Sequence, residues 1–232
     1  MSTPEELLLF LNEQDPAMYR EVVQANQYRI DGEKIFGRTI IDIGANIGAF
    51  TLYSALLGAK KVVSVEPVSA SYNRLLKNIH RLNLKNVTTF KNLIHRKNNL
   101  FLPVSLNDNA GANSIYNVND DNFEVVETIA FFDVIGKIND SNIFLKIDCE
   151  GAEYDVILHT DNYHWDKISE IVIEMHTEMH PEYKGKEILM YKLQSLGFKL
   201  ISDNQTFLWD YDQFGNRVNW RPLALTNQYW KK

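Results

Sequence analysis

The clearest signal in the chain is a repeated change of hydrophobic period. Thr39–Ile43 is a short β-branched run, a turn containing Gly44 and Gly48 follows, and a helical stretch then runs through Leu57 to Gly58. Strand, turn and helix are expected in that order. Val62–Val65 is again β-branched, and after Pro67 the residues Tyr72, Leu75, Leu76, Ile79 and Leu82 fall at helical spacing on one face. Arg74, Lys77 and Arg81 share the other face. The alternation continues with a strand over 87–94 and a polar, Asn-rich stretch from 95 to about 123, read as loop with at most short strands. Next come a buried strand over 143–148, a helix over 151–159, a strand over 171–175 and a helix over 184–196 closed by Gly197. Two last strands, 198–202 and 207–209, lie too close together for a helical crossover and are predicted to pair antiparallel. Ahead of all this, residues 4–11 and 16–27 read as proline-led helices.

Strands alternating with helices predict an α/β fold, a mostly parallel sheet with helices on both faces, and the terminal hairpin adds one reversed edge strand. The expected organisation is an N-terminal helical extension over 1–36, a sheet domain over 37–210, and a tail over 211–232 packed on that domain. Ligands in such sheets bind at the carboxyl ends of the strands. The chemistry is therefore expected at residues 42–48, 66–67, 92–95, 148–150 and 174–176.

Composition narrows the class. Cys149 is the one cysteine among 232 residues, so no internal disulfide forms, and Met1–Glu6 lacks the basic start and apolar run of a signal peptide. A reducing, cytoplasmic setting is expected. No apolar run approaches the roughly 20 residues that span a bilayer, so no membrane partner is expected. The net charge of −6 is unevenly spread, with nine bases and one acid over 60–99 (+8) but five bases and eighteen acids over 100–187 (−13). The basic block, Lys60 to Lys97, invites a nucleic-acid reading. That reading stays second, because the presumed strand-end chemistry lies in the acidic block and no nucleic-acid motif is present.

Four strand ends carry that chemistry. Asp42, Gly44, Asn46 and Gly48 form D-x-G-x-x-x-G, where glycines and asparagine tolerate left-handed backbone and let a ligand approach closely. The G-x-G-x-x-G spacing that makes room for a dinucleotide pyrophosphate is missing. Glu66 ends the next strand and suits two ribose hydroxyls. Asp148, Glu150 and Glu153 crowd the start of a helix, and Glu174 and His176 end the following strand.

These runs, Ile41–Phe50, Val65-Glu66-Pro67, Leu145-Lys146-Ile147-Asp148-Cys149-Glu150-Gly151-Ala152-Glu153 and Ile173-Glu174-Met175-His176, resemble the FkbM-type S-adenosylmethionine-dependent methyltransferases. The likeness covers roughly residues 37–205, and the Lys146–Glu153 run is its most specific part. It implies a class I methyltransferase (Rossmann-like) fold, seven strands with the last antiparallel, and methyl transfer to a hydroxyl of a small molecule or glycan. It also implies that Asp42, Gly44, Asn46 and Gly48 surround the methionine part of S-adenosylmethionine, that Glu66 holds its ribose, and that Asn92 and Leu93 flank adenine.

A hydroxyl acceptor is a poor nucleophile and calls for a general base. Asp148 and His176 are the first candidates, Glu150 and Glu174 the second. Magnesium or manganese on Asp148, Glu150 and His176 is chemically admissible but is not among the expected cofactors. The run His176–His180 lacks the H-E-x-x-H order of a zinc site. His80, His95, His159 and His164 show no partner spacing and are expected to be surface or packing residues, and Cys149 a small buried side chain. Two further readings stand as alternatives: an RNA or DNA methyltransferase, and a cofactor-binding module without catalysis.

Overall fold

A computed structural model describes residues 16–106, 122–176, 179–211 and 217–232; at 17, 20, 21, 204–211 and 217–227 it describes backbone only. The elements in chain order are α1 (Pro16–Tyr19, running into a π turn at Arg20–Gln24), α2 (Gly32–Ile35), β1 (Thr39–Ile43), α3 (Ala49–Leu56), β2 (Lys61–Val65), α4 (Ser69–Arg81) and β3 (Val87–Phe90). Then follow β4 (Leu93–Ile94), β5 (Phe101–Ser105), β6 (Phe123–Ile129), α5 (Phe131–Gly136), β7 (Ile143–Ile147) and α6 (Glu153–Leu158). The chain closes with α7 (Asn162–Trp165), β8 (Ile168–His176), α8 (Glu187–Ser195), β9 (Lys199–Tyr211) and β10 (Arg217–Lys231). The helix expected over 4–11 lies outside the described residues.

Seven strands form one sheet in the order β3-β2-β1-β7-β8-β10-β9. The pairs from β3 through β8 are all parallel, whereas β10 runs antiparallel to both its neighbours. The seven-stranded, mostly parallel sheet with an antiparallel last strand is thus as expected, but the terminal hairpin differs. The runs over 198–202 and 207–209 belong to one strand, β9, and its partner is β10, built from the stretch expected as a tail. The reversed strand consequently lies inside the sheet, with β9 at the edge. Asp203-Asn204-Gln205-Thr206 suggests a turn by composition. The register shift between Pro222 and Thr226 on β10 instead lets β9 continue through it.

A second difference lies between β3 and α5. The run expected as one strand over 87–94 breaks after Phe90: β3 stays in the main sheet, while β4 pairs with β6 in a separate three-stranded sheet, β4-β6-β5. Part of the Asn-rich stretch is therefore ordered as the β5–β6 antiparallel pair. The adjoining helix α5 had no sequence expectation.

Period-two alternation divides the core. Ile41, Ile43, Leu145, Ile147, Ile171 and Ile173 face α5, α6, α7 and α8 through Val134, Tyr154, Trp165 and Leu193. Ile40, Val62, Phe144 and Val172 face α3 and the N-terminal segment through Leu52, Phe50, Tyr28 and Ile35. By the same parity Asp42 and Lys146, next to last in the runs TIIDI and IFLKI, belong to this second face. They are opposite one another in the β1–β7 register, and Ser64 of β2 is opposite Asp42 on the other side.

Among the described residues no helix is long and apolar enough to cross a membrane.

Candidate active site

The strand order reverses between β1 and β7, since β1 continues outward to β2 and β3, and β7 to β8. Such a switch point opens a crevice at the carboxyl ends of its two strands. Two turns meet there. The Asp148 amide donates to Ile43 O at 3.1 Å, and a Cβ on Gly44 would lie 1.7 Å from Asp148 O, so only glycine lets the backbones touch. Gly44, at φ 78°, also donates its amide to Val65 O. Gly48, at φ 96°, caps α3, and a Cβ there would meet Leu75 of α4 at 2.4 Å.

Beneath the turns is a buried polar row. Asp42 is fully buried; its Oδ2 accepts from Thr51 Oγ1 of α3 at 2.6 Å, and the Thr51 hydroxyl also meets Ser64 Oγ. Lys146 Nζ is 3.3 Å from Asp42 Oδ1 and 3.4 Å from Asp148 Oδ2, and donates to Gly44 O at 2.8 Å. Burial by itself pushes the ammonium toward neutrality, but the two carboxylates prevail and hold its pKa above the usual lysine range. Tyr28, from the N-terminal segment, donates its hydroxyl to Asp148 Oδ2 at 2.9 Å, and Lys146 lies over its ring. Asp148 feels burial most strongly, yet Lys146, His176 and Tyr28 together keep its pKa below the usual carboxylate range.

Above the row is a second cluster. Glu150 adopts φ 53°, unusual for a residue with a side chain, and its Oε2 is 3.3 Å from His176 Nε2. His176 Nδ1 is 2.9 Å from Oε1 of Glu153, whose carboxylate also receives the amides of Cys149 and Gly151. Burial disfavours the charged ring, but Glu153, Glu150 and Asp148 outweigh it and push the His176 pKa up to about 10. Glu150 is pushed up to about 8, first by burial and then by Asp148 and Glu153, with His176 pulling the other way. Asp148, Glu150 and His176 bring ligand atoms within 4.8 Å of one another, a spacing suited to a divalent ion.

Glu66 stands across the crevice, buried, with Oε2 accepting from the Asn46 amide at 2.8 Å and Oε1 from the Val68 amide at 2.9 Å. Burial outweighs these donors and raises its pKa to about 7. Each oxygen retains a lone pair for a further donor. Asn46, at φ 50°, has a buried Oδ1 with no hydrogen-bond partner. Leu93 is buried on β4 and packs with Val68, Val104 and Val126, which sets it beside the Glu66 strand end.

The structure thus brings Asp148, Glu150 and His176 together at one end of the crevice, against Gly44 and joined to Asp42 through Lys146, while Asn46 is bonded to Glu66 across it and Gly48 caps α3. Glu174 is half-buried on β8, two residues before its end. Lys146, Tyr28 and Glu153 carried no assigned role in the sequence. The signal for Lys146 was a base inside an apolar strand at the position Asp42 holds in its own; Tyr28 gave no such signal. Two of the histidines expected to be surface or packing residues have an acidic neighbour. His95 and His159 approach the buried Asp155 carboxylate at 3.9 and 4.0 Å. The His180 ring packs at a tilt against Tyr154 and Tyr183, with Nδ1 accepting from the amides of Glu182 and Tyr183. Cys149 is half-buried, and burial pushes its thiol well above the usual range.

The raised pKa of Glu66 has a stability consequence. The carboxyl is unperturbed near 4.5 in the unfolded chain and titrates near 7 in the fold, so its contribution is present below pH 4.5 and is lost as pH rises through 7. The stability of Glu66→Gln relative to the parent chain should therefore rise by about 3 kcal/mol across that window. Denaturant unfolding at a series of pH values measures this, and a constant difference contradicts it.

The sequence pattern of the methyltransferase FkbM domain matches residues 42–200, more than half of the chain. A curated relative, Methyltransferase 1 of Beauveria bassiana (strain ARSEF 2860), is 26% identical in an alignment 158 positions long that covers 59% of this chain and 64% of the relative. The aligned part thus spans somewhat under two thirds of that relative's length. Similar solved structures include the methyltransferase FkbM from Methylobacillus flagellatus KT, 16% identical, covering 84% of this chain and 43% of the other, with a TM-score of 0.49. Another is M. capricolum TrmK in complex with S-adenosylhomocysteine, 12% identical, covering 89% and 67%, with a TM-score of 0.48. With the family's domain pattern spanning both the glycine turn and the Lys146–Glu153 run, the chain belongs to the FkbM methyltransferase family.

Proposed function

We propose that the protein transfers a methyl group from S-adenosylmethionine to a hydroxyl of a small molecule or glycan. The observation that carries this reading is the meeting, at the sheet's switch point, of a glycine turn fit for the cofactor and an acidic cluster fit to receive a proton. The donors present suit the cofactor: the unpartnered Asn46 Oδ1 is a buried acceptor for an amino group, and Glu66 has lone pairs for ribose hydroxyls. The touching backbones at Gly44 and Asp148 bring the two halves of the crevice into register. When bound, the sulfonium supplies an electrophilic methyl group.

The chain's own residues then position an acceptor and take its proton. Positioning is the larger contribution, since a well-oriented intramolecular reaction gains many orders of magnitude in effective concentration. His176, held as an imidazolium, has no lone pair for a proton. Asp148, held ionised by Lys146 and Tyr28, is a weak base. Glu150, titrating near 8, has the pKa best matched to a neutral-pH proton acceptor. No step of this reading needs the basic block of 60–99.

Calorimetric titration with S-adenosylmethionine and, separately, with NAD tests the cofactor. Saturable binding of the first alone is expected, and tight NAD binding would overturn the assignment. Release of S-adenosylhomocysteine with a panel of sugars, alcohols, amines and RNA tests the acceptor; turnover confined to amines or RNA excludes the hydroxyl reading.

A further inference from the structure

We infer that Glu153 is a positioning residue for the transfer: one carboxylate locks the turn that carries Glu150 and holds the His176 ring with its Nε2–H directed at the Glu150 carboxylate. This rests on the methyl-transfer reading of the site and adds to it a residue that touches neither cofactor nor acceptor. Glu153 is fully buried at the start of α6. Its Oε1 accepts the Cys149 amide at 3.0 Å and its Oε2 the Gly151 amide at 2.9 Å, so the residues on both sides of Glu150 are tied to one side chain. The left-handed backbone of Glu150 is costly for a residue with a Cβ and persists where its surroundings over-determine it. The two amide bonds supply that constraint.

The same Oε1 meets His176 Nδ1 at 2.9 Å while Nε2 is 3.3 Å from Glu150 Oε2. A neutral imidazole has one N–H and satisfies one of the two carboxylates; the doubly protonated ring satisfies both. Among the described residues, the charged and titratable groups facing the ring are Glu153 on α6 and Asp148 and Glu150 on the turn after β7. Behind them, Lys146 and the Tyr28 hydroxyl reach Asp148, and the Cys149 thiol is next to Glu153. From β10 the register sets Leu225 opposite His176. With Glu153 present the ring is fixed between two carboxylates, Nδ1 on Glu153 and Nε2 facing Glu150.

The experiment pairs two variants, Glu153→Gln and His176→Gln. Long-range proton–nitrogen NMR of the full chain follows the ring through a pH series, with its signal identified by its loss in His176→Gln. In the parent chain the ring should stay doubly protonated past neutral pH, and in Glu153→Gln it should titrate at least about one unit lower. That readout needs no acceptor, so it stands or falls apart from the methyl-transfer reading. With an acceptor in hand, each variant should lose about tenfold to hundredfold in kcat with S-adenosylmethionine affinity kept within about threefold, and the double variant should lose little more than either. An unchanged ring titration in Glu153→Gln overturns the inference. So does full kcat in His176→Gln, or a fall in cofactor affinity as large as the fall in kcat, which marks a merely structural loss of the turn.

Discussion

Replacing Glu150 with glutamine should lower kcat by about 10²- to 10⁴-fold, the range spanned by a general base, while cofactor affinity changes little. The side chain is isosteric, and the amides of Cys149 and Gly151 are held by Glu153, so folding and the crevice should be preserved. The pH dependence carries the sharper information. A carboxyl with its pKa near 8 must lose its proton before it can accept one, so the rate should climb with pH up to about 8 and then level. If Asp148 were the acceptor, its lowered pKa would leave the rate flat through neutrality. A flat profile in the parent chain, or near-full turnover in Glu150→Gln, therefore removes Glu150 from the role. The raised value comes first from burial, and the neighbouring Asp148 and Glu153 add to it. It is thus a property of the assembled cluster and is absent from the unfolded chain.

The Lys146→Met variant should be destabilised by about 3–5 kcal/mol, because it leaves the buried Asp42 carboxylate with Thr51 as donor but no cation, and frees Asp148 of its nearest positive charge. For a chain of this size that corresponds to a fall in Tm of about 6–20 °C. Binding of S-adenosylmethionine should weaken as well, since the ammonium also donates to Gly44 O and so pins the glycine turn. Adding Asp42→Asn should recover part of the stability by removing the unpaired charge, with Thr51 still bonded to the side chain. Thermal unfolding of the two variants checks the account. A loss below about 1 kcal/mol in the single variant, the scale of an exposed pair, contradicts it.

Much of this architecture was readable in the pattern of residues. Apolar runs of four or five β-branched residues alternating with helical periodicity specify parallel strands and crossovers, because each element must bury one face or both. The glycine turn was readable for the same local reason: Gly44 and Gly48 stand where the backbone takes positive φ. The run over 87–94 divides between two sheets, since periodicity registers extended backbone but not which sheet each half joins. The terminal hairpin differs from the expected one because Asp203 and Asn204 favour turns in isolation, while two long strands pairing across a bulge outweigh that preference.

At the site, the sequence by itself determined which side chains stand at strand ends, and so that Asp42, Glu66, Asp148, Glu150 and His176 would line one rim of the sheet. Strand order and pairing register, set by contacts far apart in the chain, decided the rest. They put Lys146 opposite Asp42, brought Tyr28 across 120 residues to Asp148, and made the buried Glu153 the common partner of Glu150's turn and His176. Charge states followed from that packing. The His176 ring is pushed up to about 10 and Glu150 to about 8, because ion pairing and desolvation depend on burial and distances that exist only once the strands are side by side.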